Sequence, residues 1–209
     1  MSERIVAPKP HVAARALVGS WAQYQQLYAE SIDDPSAFWG RQSKRLDFFR
    51  PFTRVYHGDF ADAQAAWFLD GKLNAAWNCV DRHLADKAEQ TAIIWAGDEP
   101  GNYRRISYRE LHDNVCRLAN ALVHHGVRQG DRVCLYLPMI PELAYAMLAC
   151  ARIGAIHSVV FAGFSAESLQ GRIVDADCRV VLTSNEGLRG GKVIHLKKIV
   201  TCSSSTMRQ

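Results

Sequence analysis

The run Val133-Cys-Leu-Tyr-Leu-Pro138 decides the fold, because no charged or strongly polar side chain interrupts it. Such a run is typical of a strand that is buried on both faces of a parallel sheet. Two more strands are predicted over residues 155–161 and 179–183, and the segments between the strands, 143–153 and 165–176, have helical patterns. Strands and helices that alternate with short links predict a right-handed βαβαβ unit of the α/β class.

Capping residues mark the helix boundaries around this unit. Ser107-Tyr-Arg-Glu110 is a capping box, apolar residues follow it at helical spacing, and Gly126 ends the predicted helix. Pro141 suits the first turn of the next helix, and Gly154 suits its C-terminal end. Ser165 is a predicted N-cap for the helix that follows. The regular pattern therefore rests on local signals as well as on periodicity.

The segment from residue 20 to residue 82 is rich in aromatic side chains but has little regular periodicity. This combination predicts a cap of short helices and loops. Within it, Ser31-Ile-Asp-Asp-Pro35 can begin a helix that carries Phe38 and Trp39 on one side. Residues 1–19 show no sustained period and are expected to form a flexible lead-in, with regular structure beginning near residue 20.

The composition is that of an ordinary globular protein and excludes several classes. The chain has 209 residues, with 25 Lys and Arg against 21 Asp and Glu, a formal net charge of +4 and 48% apolar residues. A chain of this length can bury one sizeable core. The aromatic content argues against disorder. Basic and acidic side chains alternate, which argues against nucleic acid as a partner.

We expect neither a membrane span nor secretion. The longest stretch without a charged side chain, between Arg152 and Glu167, is shorter than the roughly 20 apolar residues of a membrane helix. The first ten residues contain no apolar signal segment, so a cytoplasmic protein is expected. The six cysteines occur singly, without metal-ligand spacing, which favours free thiols in a reducing compartment.

Two loops that follow predicted strands are candidate sites, because ligands bind at the carboxyl ends of parallel strands. Phe161-Ala162-Gly163 combines an aromatic ring with small residues before a helix, an arrangement that can stack a purine and admit phosphate. Arg189-Gly190-Gly191-Lys192 places two cations on a flexible glycine turn, which suits phosphate capture. The alternatives are an ordinary strand-to-helix turn for the first loop and a solvated basic turn for the second.

Other catalytic patterns are not found in the sequence. Residues 187–192 do not form a Walker A loop, because one residue is missing and Val193 stands where Ser or Thr would hold Mg²⁺. No GxGxxG motif follows a strand and no GxSxG elbow occurs, which disfavours a dinucleotide oxidoreductase and an elbow serine nucleophile. His124-His125 and His157 are interpreted as structural, and Asp81-Arg82-His83 as a structural joint.

Several short motifs occur together in the order found in one enzyme family. They are Pro35-Ser-Ala-Phe-Trp-Gly40, Trp67-Phe-Leu-Asp-Gly-Lys-Leu-Asn-Ala-Ala-Trp-Asn-Cys-Val-Asp-Arg-His83, Tyr108-Arg-Glu-Leu111, Gly130-Asp-Arg-Val133, Leu137-Pro-Met-Ile-Pro-Glu142, Val159-Val-Phe-Ala-Gly-Phe-Ser165 and Leu188-Arg-Gly-Gly-Lys192. From residue 20 to about residue 200 the chain closely resembles the N-terminal portion of the AMP-forming acetyl-CoA synthetases, a branch of the adenylate-forming (acyl-CoA synthetase) superfamily. The aromatic segment resembles the N-terminal extension of that branch, which favours acetate; a propionate-preferring relative is the alternative.

The resemblance implies a two-step ligase reaction. Acetate attacks the α-phosphate of ATP to give acetyl-adenylate and pyrophosphate, and the thiol of coenzyme A (CoA) then attacks the acyl carbon and expels AMP. Mg²⁺ and a cationic phosphate loop stabilise the charge at phosphate. In the family, the region matching Arg189-Gly190-Gly191-Lys192 contacts CoA phosphates, and the region matching Phe161-Ala162-Gly163 lies against the CoA nucleotide. Ala162 stands where some relatives have Gly.

The resemblance also implies that the catalytic elements lie outside this chain. In the family, the ATP phosphate loop, the acetate pocket and the adenylating lysine all come later in the sequence. The chain is therefore expected to be an N-terminal fragment that is inactive alone, binds no cofactor tightly and contributes no catalytic residue or metal ligand. A non-enzymatic remnant with weak CoA or nucleotide binding is the second hypothesis. The expected partners are the small molecules acetate, ATP and CoA; the sequence indicates no oligomeric state.

The resemblance divides the chain into domains. Residues 20–82 correspond to the N-terminal extension, and residues 83–200 correspond to part of the AMP-binding domain. Residues 201–209 are rich in Ser and unlike the family, so they are expected to form an unfolded tail.

Overall fold

The computed structural model of the chain describes residues 8–59, 61 and 63–206. Contacts divide these residues into two compact units, one on each side of the Lys72–Leu73 bond. We expected the aromatic segment to continue to residue 82. Phe60, the first seven residues of the lead-in and the last three of the tail lie outside the described residues.

The first unit contains three helices and two strands. They are α1 (Pro10–Ala13), α2 (Trp21–Asp33), α3 (Pro35–Gln42), β1 (Arg54–Asp59) and β2 (Gln64–Leu69), with a 3₁₀ turn at Ser43–Arg45. The predicted helix start is confirmed: the Asp34 carboxylate accepts the N–H of Ala37, and Pro35 occupies the first turn of α3. The hydroxyl of Ser20 caps α2 in the same way. One helical turn, α1, precedes Ser20, where we expected regular structure to begin.

Strands β1 and β2 form an antiparallel hairpin, with Tyr56 opposite Trp67. Our prediction of only helices and loops in the aromatic segment is wrong here. The sequence of β1, Arg-Val-Tyr-His-Gly-Asp, does not alternate strictly between apolar and polar residues, so its period of two is not visible. The ring centres of Tyr56 and Trp67 lie 4.6 Å apart. Such cross-strand aromatic pairs stabilise a hairpin.

The second unit is larger and contains the parallel sheet. Its elements are α4 (Ala75–Cys79), a 3₁₀ turn (Asp81–His83), α5 (Leu84–Lys87), β3 (Thr91–Ala96), β4 (Tyr103–Ser107), α6 (Tyr108–His124), β5 (Arg132–Tyr136), α7 (Pro141–Ile153), β6 (Ile156–Val159), α8 (Ala166–Asp175), β7 (Val180–Thr183), β8 (Gly187–Arg189), β9 (Lys192–Ile194) and α9 (Leu196–Thr206). Strands β3 and β4 form an antiparallel hairpin that the sequence did not lead us to expect. None of the described helices is long and apolar enough to cross a membrane.

Strands β5, β6 and β7 form a parallel sheet in the order β6-β5-β7. The α/β class and the βαβαβ unit are therefore confirmed. On one face, Val133 and Leu135 pack into a core with α6 and α7. On the other face, Cys134 and Tyr136 pack into a second core with α8 and α9. Alternate residues of β5 thus supply both cores, which explains the uninterrupted apolar run.

The predicted caps are present at the helix ends. Ser107 Oγ accepts the N–H of Glu110 at 3.1 Å at the start of α6. Gly154 ends α7 in the left-handed conformation, with φ of +73°. Ser165 Oγ accepts the N–H of Ser168 at 3.3 Å at the start of α8. The Ser165 cap positions the loop before α8, and this loop carries one candidate site.

Asp81, in the predicted structural joint, is bound by Arg152 of α7. Both carboxylate oxygens lie 2.7 Å from guanidinium nitrogens, and the Asp81 side chain is only 8% exposed. Burial is the largest single effect on the pKa of Asp81, and it raises that pKa. The hydrogen bond and charge of Arg152 and the charge of His112 lower it. Together they outweigh burial, so the pKa of Asp81 is lowered. This ion pair supports the structural interpretation of the joint.

Helix α9 corrects the prediction of an unfolded tail. Residues 201–206 continue this helix, whereas we expected residues 201–209 to be unfolded. Leu196 is fully buried, and Ile199 and Val200 pack against the same core, so the first turns of the helix are anchored. The Thr201 hydroxyl donates to a carbonyl one turn earlier at 2.9 Å. A helix anchored in this way can continue beyond its packed residues, because each further residue adds one hydrogen bond.

Candidate functional site

The two candidate loops lie on either side of the end of β5. In the sheet register, Leu135 is opposite Val159 of β6, and Tyr136 is opposite Thr183 of β7. The loop after β6 and the segment after β7 therefore both leave the carboxyl edge of the sheet beside the same central strand. This edge is where open α/β sheets bind ligands.

The loop after β6 is a tight turn that presents Phe161. The Phe161 carbonyl accepts the N–H groups of both Gly163 and Phe164, at 2.8 and 3.1 Å. The Tyr136 hydroxyl, from β5, donates to the Phe164 carbonyl at 3.0 Å and so fixes the loop to the sheet. Phe161 is 47% exposed, and the ring of Phe164 stands edge-on to its ring with the ring centres 6.0 Å apart. Ala162 instead packs against the second core.

The segment after β7 is a hairpin rather than the flexible loop that we expected. Strands β8 and β9 pair antiparallel, with Arg189 opposite Lys192. Gly190 and Gly191 form the turn, with φ of +54° and +73°. Two successive positive φ values characterise the tightest hairpin turns and favour glycine at both positions. Two paired strands therefore carry the two cations, and both side chains are exposed.

The structure brings Phe161, Gly163 and Arg189 together. The guanidinium carbon of Arg189 lies 4.7 Å from the centre of the Phe161 ring, which is within cation–π distance. A Cβ atom added at Gly163 would lie 3.1 Å from Arg189 Nη1 and 3.1 Å from a ring carbon of Phe161. Gly163 therefore leaves the space in which the arginine packs over the ring.

One residue of this region was missed in the sequence. Asp98, in the loop between β3 and β4, accepts the N–H of Gly190 at 3.0 Å through its carboxylate. The two residues lie 92 positions apart, so no local pattern could reveal the contact. A cleft of about 320 Å³ adjoins the hairpin and is lined by the β3–β4 loop, residues 138–140 and residues 186–188.

The described residues contain no group of three or more His, Cys, Asp or Glu side chains that could hold a metal ion. The chemistry of the cluster is cationic and aromatic, because it combines the Arg189 guanidinium and the Lys192 ammonium with the Phe161 ring. Such a group is suited to a ligand that has both a phosphate and a flat base.

Comparison with known families identifies the class of this protein. Residues 80–207 match the family described as AMP-binding enzyme. This match covers more than half of the chain, so the chain belongs to the AMP-binding enzyme family. Residues 24–79 match the family described as acetyl-coenzyme A synthetase N-terminus. The first match extends beyond residue 200, where we expected the resemblance to end.

Curated relatives with high identity are acetyl-coenzyme A synthetases. The chain is 56% identical over 201 residues to acetyl-coenzyme A synthetase 2 of Pseudomonas aeruginosa, covering 96% of this chain and 31% of the relative. It is 56% identical over 198 residues to acetyl-coenzyme A synthetase of Rhizobium rhizogenes, covering 94% of this chain and 30% of the relative. For the enzyme of Desulfatibacillum aliphaticivorans the identity is 57% over 178 residues, or 85% and 28% of the two chains. The chain thus spans about 30% of the length of these relatives.

Proposed function

We propose that this chain is the N-terminal part of an AMP-forming acetate:CoA ligase and that its own contribution is to bind the nucleotide of CoA. The observation that carries the proposal is the Arg189 guanidinium packed 4.7 Å over the Phe161 ring at the carboxyl edge of the sheet. The similarity to acetyl-coenzyme A synthetases over most of the chain supports the choice of CoA as ligand.

In the proposed reaction, acetate attacks the α-phosphate of ATP, and acetyl-adenylate and pyrophosphate form. The CoA thiol then attacks the acyl carbon, the bond to AMP breaks, and acetyl-CoA forms. Acetate is proposed as the acid because residues 24–79 match the N-terminus of acetyl-coenzyme A synthetases. Propionate is the alternative acid. Mg²⁺ would take part in the full-length ligase, where it would stabilise the charge on the phosphates of ATP.

The candidate site can bind CoA through two interactions. The purine of CoA stacks on the Phe161 ring, an interaction that does not depend on the base's hydrogen-bonding edge. Arg189 and Lys192, opposite each other in the hairpin, bind the phosphates through charge-assisted hydrogen bonds. Gly163 supports both interactions because it leaves room for the guanidinium beside the ring.

Calorimetric titration of the chain with CoA and with dephospho-CoA tests this proposal. We expect CoA to bind more tightly, because the 3′-phosphate adds a partner for the two cations. We expect Arg189→Ala to weaken CoA binding by about tenfold, the loss that one charge-assisted hydrogen bond of about 1.5 kcal/mol represents. Arg105→Ala is the matched control, because Arg105 is an exposed arginine in strand β4. Equal affinities for the wild type and Arg189→Ala would contradict the site.

A second candidate function is binding without ligation. The observation that favours it is that the chain spans about 30% of its ligase relatives. Exchange of labelled pyrophosphate into ATP, measured with and without acetate, separates the two functions. We expect the chain alone to show no acetate-dependent exchange, whereas exchange above the rate without acetate would make it a complete adenylating enzyme.

We propose the cytoplasm as the compartment, because none of the six cysteines, all of which are among the described residues, forms a disulfide, and a reducing compartment maintains that state. The proposed partners are the small molecules acetate, ATP and CoA. The mixed charge of the chain, with 25 basic and 21 acidic residues, disfavours nucleic acid as a further partner.

A further inference from the structure

The turn between β8 and β9 is closed by the paired strands, and one side-chain hydrogen bond reaches it from outside the hairpin. Gly190 and Gly191 both have positive φ, and a Cβ atom added at either position would meet nothing within 4 Å beyond the neighbouring residues. Packing beside these two Cα atoms therefore does not restrain the turn. Glycine also has a wide choice of backbone conformations, so an unrestrained Gly-Gly turn would lose conformational entropy on binding a ligand.

Asp98 supplies the restraint from a different part of the unit. Its Oδ2 atom accepts the N–H of Gly190 at 3.0 Å, and the two residues are 92 positions apart. A hydrogen bond to an ionised acceptor is stronger than one between neutral groups. The contact therefore links the hairpin that carries Arg189 and Lys192 to the loop between β3 and β4.

The β3–β4 loop is itself well fixed. The Gly97 N–H donates to the Asn102 carbonyl at 2.7 Å, and the Asn102 N–H donates to the Glu99 carbonyl at 3.1 Å. Trp95, near the end of β3, donates its indole N–H to the Met139 carbonyl at 2.7 Å. This hydrogen bond links the β3–β4 hairpin to the loop after β5. Asp98 therefore lies in a loop that these hydrogen bonds hold in place.

We propose that Asp98 is the positioning residue of the CoA site: its carboxylate fixes the Gly190 turn and so holds Arg189 over the Phe161 ring before the ligand arrives. This inference rests on the proposed function, because the ligand is taken to be CoA. The Gly190 N–H is occupied by Asp98, so the phosphates are bound by the side chains of Arg189 and Lys192 and not by that backbone group. Preorganisation of this kind raises affinity by lowering the entropy lost on binding.

Three variants of the full 209-residue chain test the inference. Asp98→Ala removes both the acceptor and the negative charge, and Asp98→Asn removes the charge but keeps an oxygen acceptor. Glu99→Ala is the matched control, because it removes the same charge from the neighbouring position and leaves the Glu99 carbonyl in place. Melting temperatures near that of the wild type verify that each variant is folded.

The first measurement is hydrogen exchange at the Gly190 amide by NMR, which needs no ligand. We expect Asp98→Ala to raise the exchange rate about tenfold, the effect of losing one hydrogen bond to a charged acceptor. Asp98→Asn and Glu99→Ala should stay within about threefold of the wild type, since both keep an acceptor at Gly190. An unchanged rate in Asp98→Ala would overturn the inference.

The second measurement is CoA affinity by calorimetry. We expect Asp98→Ala to weaken binding about fivefold, and Asp98→Asn to bind within about threefold of the wild type, because it keeps an acceptor at Gly190 although an uncharged one. Tighter binding by Asp98→Ala would overturn the inference and identify the carboxylate as a competitor of the phosphate. If the wild type binds no CoA, the proposed function fails for this chain, and the exchange rates still decide whether Asp98 fixes the turn.

Discussion

The guanidinium carbon of Arg189 lies 4.7 Å from the centre of the Phe161 ring, although the two residues follow different strands of the sheet. This contact joins the two loops into one candidate site. The guanidinium covers part of the ring, and Phe161 remains partly exposed. We therefore expect both groups to contribute to ligand binding and to depend on their mutual contact.

Replacement of the ring tests its contribution. We expect Phe161→Leu to weaken binding of CoA about tenfold, because a stacked base on an aromatic side chain is worth about 1–3 kcal/mol. Phe161→Tyr keeps the ring and should bind within about twofold of the wild type. Fluorescence competition with adenosine 3′,5′-bisphosphate measures the nucleotide part alone. A Phe161→Leu variant that binds as well as Phe161→Tyr would rule out stacking at this position.

A methyl group at Gly163 should disturb the site without unfolding the protein. Its Cβ would lie 3.1 Å from Arg189 Nη1, so the guanidinium must shift by a few tenths of an ångström relative to the ring. We expect Gly163→Ala to weaken CoA binding by up to about fivefold, because part of a cation–π contact of about 0.5–1 kcal/mol is lost. Gly171→Ala is the control, because Gly171 lies in α8 with open space around it.

The two glycine variants should also differ in stability. Gly171→Ala should raise the free energy of unfolding by about 0.5–1 kcal/mol, since Ala is the better helix former. Gly163→Ala should change it by less than about 1 kcal/mol, because the contacted arginine is flexible and exposed. Urea denaturation measures both changes. A large loss of stability in Gly163→Ala would mean that this glycine supports the fold rather than the site.

The ion pair between Asp81 and Arg152 should stabilise the second unit in a pH-dependent way. We expect Asp81→Asn to lower the free energy of unfolding at pH 7 by about 3 kcal/mol, because it leaves the Arg152 charge half-buried without its partner. The pKa of Asp81 is lowered in the folded state. Its ionised form therefore stabilises the fold above the unfolded-state pKa of about 4, and this contribution is lost as the pH falls through the folded-state value.

Urea denaturation of Asp81→Asn at a series of pH values checks this behaviour. The difference in stability between the variant and the wild type should be largest near pH 7 and should shrink as the solution is acidified below about pH 4. Asp175→Asn is the control, because Asp175 is exposed at the end of α8. A difference that stays constant with pH would mean that the Asp81 charge contributes nothing to stability.

Four of the six cysteines should differ clearly in reactivity, because two are buried and two are exposed. Burial raises the pKa of Cys134 to about 12 and that of Cys150 to about 11. The reactive thiolate is therefore scarce at both positions at pH 8, and access is blocked as well. Cys79 and Cys202 are exposed. With an aromatic disulfide reagent at pH 8, we expect these two to react in the first phase and the buried pair only after denaturant is added.

Mass spectrometry of the labelled protein assigns each phase to its residues. Fast labelling of Cys134 or Cys150 without denaturant would show that the cores around β5 open readily. The fully unfolded chain, in which all six thiols react, supplies the reference amplitude.

The parts of the fold that were predicted depend on short-range signals. The apolar run of β5, the caps at Ser107 and Ser165 and the glycine at position 154 are each visible within a few residues of sequence, because burial and capping act locally. The hairpins were missed because their strands lack the regular alternation of buried and exposed residues that identifies an antiparallel strand in a sequence. In β3, for example, exposed and partly buried positions do not alternate regularly.

The candidate site was predicted only in its separate pieces. The residues at positions 161 and 189 were identified one loop at a time, because each follows a predicted strand. That their side chains meet depends on the strand order β6-β5-β7, which no local pattern encodes. The contact of Asp98 with Gly190 spans 92 positions and depends on how the β3–β4 hairpin is placed beside the sheet.

The order of the strands also has a consequence for synthesis on the ribosome. The central strand, β5, is synthesised before both of its neighbours in the sheet. The first neighbour, β6, is complete only at Val159, and the second, β7, only at Thr183. Because domains fold in the order in which they leave the ribosome, the nascent chain passes through a period in which β5, the described strand with the most buried residues, has no neighbour in the sheet. A pause in translation between β5 and β7 should therefore be the point at which this protein most needs a chaperone.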